Sequence, residues 1–87
     1  MSFSAHKRDA LDPTLPLNYR MSHVRSCAML MGHKYRVHRD VVIDRVRELC
    51  GVDVRIVGTE EDAVKAVTAL IHIKSVGLDV EPDNRAG

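Results

Sequence analysis

Aromatic side chains are almost missing from this chain: Phe3, Tyr19 and Tyr35 are the only ones, and tryptophan is absent. A core must therefore be assembled from Val, Leu, Ile, Met and Ala, and there is no aromatic platform of the kind on which nucleobases stack. Cysteine is nearly as scarce. Cys27 and Cys50 are too few and too far apart for a disulfide framework or a zinc pair, and they read as small apolar side chains in a reducing compartment. Cys50 falls at the end of an expected helix, where the negative end of the macrodipole disfavours a thiolate. No apolar run approaches the roughly 18 residues of a membrane span, and the N-terminus lacks the apolar segment of a signal peptide. No membrane partner is expected, and the cytoplasm is the expected compartment.

The chain also lacks a nucleophile motif, a phosphate loop and a paired-carboxylate signature, so neither catalysis nor a cofactor is expected. His23 and Cys27 lie four apart, and His33 could approach His38 across a turn. A metal needs three or four converging ligands with support behind them, so no metal site is expected.

Charge is what the chain does have, and its distribution says more than its net value of +1. Residues 1–19 are neutral. Residues 20–47 carry Arg20, Arg25, Lys34, Arg36, Arg39, Arg45 and Arg47 against Asp40 and Asp44, net +5, with His23, His33 and His38 in addition. Residues 48–87 carry net −4. A basic middle followed by an acidic end can meet phosphates or an acidic protein, or its own other half.

With 87 residues, 45% of them hydrophobic, the chain has room for one small domain. A domain of this size buries only about 60% of the surface its unfolded chain exposes, which favours a homodimer. Residues 1–17, with Pro13 and Pro16, read as a flexible arm or extended segment. Asn18 can cap a first helix over Tyr19–Lys34, in which Met21, Val24, Ala28, Met31 and Tyr35 recur at spacings of three and four, with Arg20, His23 and Arg25 on the opposite face. Gly32 weakens its last turn. A turn follows at His33–Arg39.

His38 or Asp40 then caps a second helix with Val42, Val46 and Leu49 as its buried stripe and Gly51 as its stop. Val52, Val54 and Ile56 alternate with Asp53 and Arg55, which predicts a half-buried strand closed by Val57. Thr59 with Asp62 predicts a capped third helix with Ala63, Val64, Val67, Leu70 and Ile71 on its apolar face. Residues Val76 to Val80 read as a further short strand, and residues 81–87 as a disordered tail. The expected fold is α+β, a single domain over residues 18–80 with about three helices and a short two- or three-stranded sheet.

The run Ile43, Val46, Cys50, Gly51, Val52, Asp53, Val54, Arg55, Ile56, Val57, Gly58, Thr59, Glu60 and on to Ala66 resembles the second half of a KH domain. The resemblance implies nucleic-acid binding through a G-x-x-G loop, which would fall on Val37, His38, Arg39 and Asp40. Neither glycine is present, so close backbone approach to phosphate is obstructed while the basic middle of the loop is kept. Tyr35 to Leu49 in turn resembles the second helix of a helix-turn-helix motif, with Arg36 in the place where such turns often carry glycine.

These observations lead to two expectations. One is a small non-enzymatic nucleic-acid-binding or regulatory protein that uses Arg20, Arg25, Lys34, Arg36, His38, Arg39, Arg45 and Arg47. The other is a small protein-interaction module or inhibitor, of the compact kind found in phages and other mobile elements, that docks on a larger host protein.

Overall fold

The computed structural model describes residues 2–78. Every regular element among them is a helix: α1 (Phe3–Ala10), α2 (Leu17–Tyr35), α3 (Arg39–Cys50) and α4 (Glu60–Val76). The expected α+β architecture is thereby overturned. There are four helices rather than about three, and no strand is found among the described residues.

The additional helix lies within the segment that read as an arm. The Ser2 hydroxyl accepts from the Ala5 N–H at 3.2 Å and caps α1, and Phe3 and Ala10 are buried. The following bend is closed by Asp12, whose carboxylate accepts from both the N–H and the hydroxyl of Thr14, at 2.9 and 2.7 Å. These bonds hold the Asp12 carboxyl below its usual range. Pro16, not Asn18, stands at the N-cap of α2, because its fixed φ of −59° already suits a helix start.

α2 is the central element and packs against all three others. It buries Met21, Val24, Cys27, Ala28 and Met31. α3 contributes Val42, Ile43 and Val46, and α4 contributes Ala63, Ala66, Val67, Leu70 and Ile73. Each large aliphatic side chain buried this way contributes about 1.5–3 kcal/mol of transfer free energy. The ends of α2 and α4 are tied where the Tyr35 hydroxyl donates to the Ile73 carbonyl at 3.1 Å. α4 starts as its sequence predicts, with Thr59 and Asp62 forming a reciprocal capping box. It continues past Lys74 to Val76, so the short strand expected from Val76 begins inside a helix, and its last residues lie outside the described residues. The tail expected over 81–87 lies outside them too.

The alternating stretch after α3 shows why periodicity alone misled. Val52 and Val54 are buried, as a strand reading requires, but Ile56 is 65% exposed and Val57 is exposed as well. A strand must hand its backbone groups to a neighbouring strand, and none is found among the described residues. Here they are satisfied locally. The Arg55 N–H bonds the Asp53 carboxylate at 3.0 Å, the Ile56 N–H bonds the Asp53 carbonyl at 3.1 Å, and the Val54 carbonyl accepts from Arg25 Nη1 at 3.1 Å. The segment is a loop pinned to the core by two valines.

Candidate functional site

The α2–α3 turn is three residues long, and its shape follows from its ends. Arg36 ends α2 in the left-handed conformation, with φ 58° and ψ 43°. Its N–H and that of Val37 return to the carbonyls of His33 and Gly32, at 3.4 and 2.9 Å, which satisfies two of the orphan acceptors at the end of the helix. Val37 is half-buried against the core. His38 opens α3, where its Nδ1 accepts from the Asp40 N–H at 3.1 Å. An accepting Nδ1 leaves the neutral ring's proton on Nε2, so the nearby Asp40 carboxylate, at 3.6 Å from the same Nδ1, forms no ion pair with this tautomer.

The eight basic residues expected to form one surface divide into groups with different work. Arg20 is buried at 3% exposure, against its expected place on the outer face of the first helix. Its Nε donates to the Ala10 carbonyl at 2.9 Å, and its Nη1 stands 3.7 Å from the Glu60 carboxylate, so it ties α1, α2 and α4 together. Arg25 holds the Val54 carbonyl. Arg45 pairs with Glu48 at 3.1 Å, and Arg47 stands 3.8 Å from Asp44. Lys34, Arg36, His38 and Arg39 are exposed and cluster at the turn. Among the described residues Lys34, Arg36 and Arg39 have no carboxylate partner; the Lys34 ammonium lies 5.5 Å from the centre of the Tyr35 ring.

Asp40 and Asp44, next to this cluster, would repel an anion if bare. Arg55, reaching across from the loop, bonds Asp44 at 2.8 Å and Asp53 at 2.9 Å and comes within 3.9 Å of Asp40. These bonds raise the Arg55 pKa, and the hydrogen bonds from Arg55 hold the Asp53 carboxyl below its usual range. Asp44 is therefore occupied by a cation from its own chain, whereas Asp40 is only approached by it.

A cleft of about 330 Å³ opens beside the turn, lined by Met29, His33, Val37, His38 and Arg39. Met29 and His33 were not among the expected site residues. Their signal was the one-turn spacing on α2, which sets them on the face that the returning chain covers. A second, larger cleft of about 430 Å³ lies between α3 and α4, lined by Leu49, Cys50, Val64, Lys65, Thr68, Ala69 and His72. Leu49, expected in the buried stripe of its helix, is 37% exposed at this cleft.

Away from the turn, His6 and His23 bring their Nδ1 atoms to 2.9 Å, and Asp9 stands 3.7 Å from His23 Nε2. Burial and the neighbouring His23 hold the His6 pKa below its ordinary value. Cys27 is buried, with its thiol pushed up to about 11 by desolvation, which leaves no thiolate for chemistry at neutral pH. Among the described residues no group of three or more His, Cys, Asp or Glu converges on a point, and no helix is long and apolar enough to cross a membrane.

Comparison of the chain with protein-family models, with curated proteins and with solved structures finds no match in any of the three.

Proposed function

We propose that this is a small, non-enzymatic nucleic-acid-binding protein whose contact surface is the α2–α3 turn. The observation that carries the reading is the sorting of the cations. Arg20, Arg25, Arg45 and Arg47 serve the fold or pair with their own chain, whereas Lys34, Arg36 and Arg39 meet at one turn with no carboxylate partner among the described residues. Three unpaired cations within six residues repel one another, and a phosphate backbone relieves that repulsion while releasing condensed counterions. Of the eight basic residues read from the sequence, the proposal keeps Lys34, Arg36, His38 and Arg39 as contacts and treats the others as support. It places the protein in the cytoplasm and allows for a homodimer, since a domain this small gains buried area by self-association.

Labelled oligonucleotides titrated with the protein test this reading. Affinity is expected to fall with salt, with a log–log slope of about −2 on single strands for three phosphate contacts. Arg39→Glu should weaken binding several-fold without unfolding the protein, because an acid is favoured in the first turn of α3. Absence of any binding at low salt overturns the proposal.

A second reading, a protein-interaction module or inhibitor, is favoured by the α3–α4 cleft and its exposed Leu49 and Val64. Recovery of one stoichiometric host protein, with no nucleic acid, would select it.

A further inference from the structure

We infer that the cleft beside the turn receives an unpaired nucleobase, so that the protein prefers single strands to duplex; this rests on the nucleic-acid reading above. The scarcity of Phe, Tyr and Trp argues against base stacking only if those are the only flat surfaces available. Histidine rings and arginine guanidinium planes also stack bases. Here His33 from the last turn of α2 and His38 from the cap of α3 line one cleft together with Arg39, and Met29 and Val37 supply its apolar part. Its volume of about 330 Å³ lies at the small end of the range for small-ligand sites, ~300–1,000 Å³.

The chemistry of the rim suits a base. His38 Nδ1 is occupied by the Asp40 N–H, so its Nε2–H is left as a donor for the acceptor edge that every nucleobase carries. Lys34 and Arg36, next in sequence to the lining residues His33 and Val37, are exposed and have no carboxylate partner among the described residues, which leaves them for the phosphates of a strand that inserts a base. A stacked duplex keeps its bases paired and out of reach of such a cleft, whereas a single strand can turn one outward at little cost.

The experiment compares three labelled probes of one sequence at low salt, the single strand, the same strand with abasic sites in its centre and the duplex, and repeats the two single-strand titrations with the His33→Gln/His38→Asn double variant. The abasic strand keeps every phosphate, and asparagine keeps the cap on α3, so each removes only the base or the rings. The single strand is expected to bind at least about fivefold more tightly than the abasic strand, the low end of what one stacked base contributes. The double variant should lose that margin. Equal affinity for the single strand and the abasic strand, or tighter binding of duplex, overturns the base site and leaves the phosphate contacts standing. No binding by any probe overturns both.

Discussion

Gly32 lies directly against the backbone of Val37. The Val37 N–H donates to the Gly32 carbonyl at 2.9 Å, and a Cβ at position 32 would stand 2.8 Å from the Val37 oxygen and 3.3 Å from the Arg39 nitrogen. The obstacle is backbone, so no rotamer change relieves it, and the turn would have to shift. Gly32→Ala is therefore expected to destabilise the protein by about 1–3 kcal/mol. This is the opposite of the gain of about 1 kcal/mol that helix propensity assigns to the same change. Denaturant unfolding of the two proteins distinguishes the two signs directly.

Arg36 is the only non-glycine residue among the described ones with a positive φ. An L-residue in that conformation costs roughly 1–2 kcal/mol. Arg36→Gly should stabilise the protein by about 0.5–1 kcal/mol, read as a raised unfolding midpoint, once the greater freedom of glycine in the unfolded chain is counted. It should also weaken nucleic-acid binding and reduce the salt slope by about 0.7 on single strands. A variant that is both more stable and a weaker binder would mark Arg36 as a residue retained for contact rather than for folding.

Arg20 joins three helices through one guanidinium. Removing it leaves the Ala10 carbonyl without its charged donor, and such hydrogen bonds are worth about 1.5–3 kcal/mol. Arg20→Met, which keeps much of the volume, should cost about 2 kcal/mol on that basis. Glu60→Gln should cost far less, because Glu60 is largely exposed and its 3.7 Å contact is screened by water. Thermal unfolding of the two variants should therefore separate them clearly, and equal losses would place the weight on the ion pair instead.

The His6–His23 contact predicts a pH dependence. One Nδ1 must donate and the other accept, so the contact tolerates a proton between the rings but not one on each. The His6 pKa is lowered from 6.5 in the folded protein, so below that value the unfolded chain binds more protons than the folded one. The contribution is fully present above pH 6.5 and is lost as the pH falls through 6.5 toward the lower folded value. Asp9 opposes the loss by favouring a protonated His6. Unfolding midpoints measured across this interval should fall more steeply for the natural protein than for His6→Gln, and parallel curves would rule the contact out as the cause.

Much of the helical part was legible in the residues. The turn between the two central helices, the Gly51 stop and the Thr59–Asp62 box all follow from local chemistry, and the cap of α3 was narrowed to His38 or Asp40, of which the structure has His38, because caps and stops are satisfied within a few residues. The α1 helix was hidden because it is only eight residues long and buries only Phe3 and Ala10, and it holds its place through these two and the Arg20 bond, all of them contacts with distant elements. The candidate site was half legible. The cluster of cations at Lys34–Arg39 could be read directly, but not that Arg20 and Arg25 turn inward, since a helical wheel does not say which polar residue meets a neighbour's carbonyl.

The sequence by itself determined where α3 starts and stops, where α4 starts and where positive charge gathers, because these are properties of neighbouring residues. Only the tertiary structure decided what the segment Gly51–Thr59 becomes and which arginines are left for a partner. Val52, Val54 and Ile56 alternate as a strand does, yet a strand is a relationship between two segments, and in this fold the backbone bonds of that stretch go to Asp53 and Arg25 instead. Likewise Arg36 and Arg20 are the same residue type in one basic stretch, and only packing makes one a surface cation and the other a buried tie.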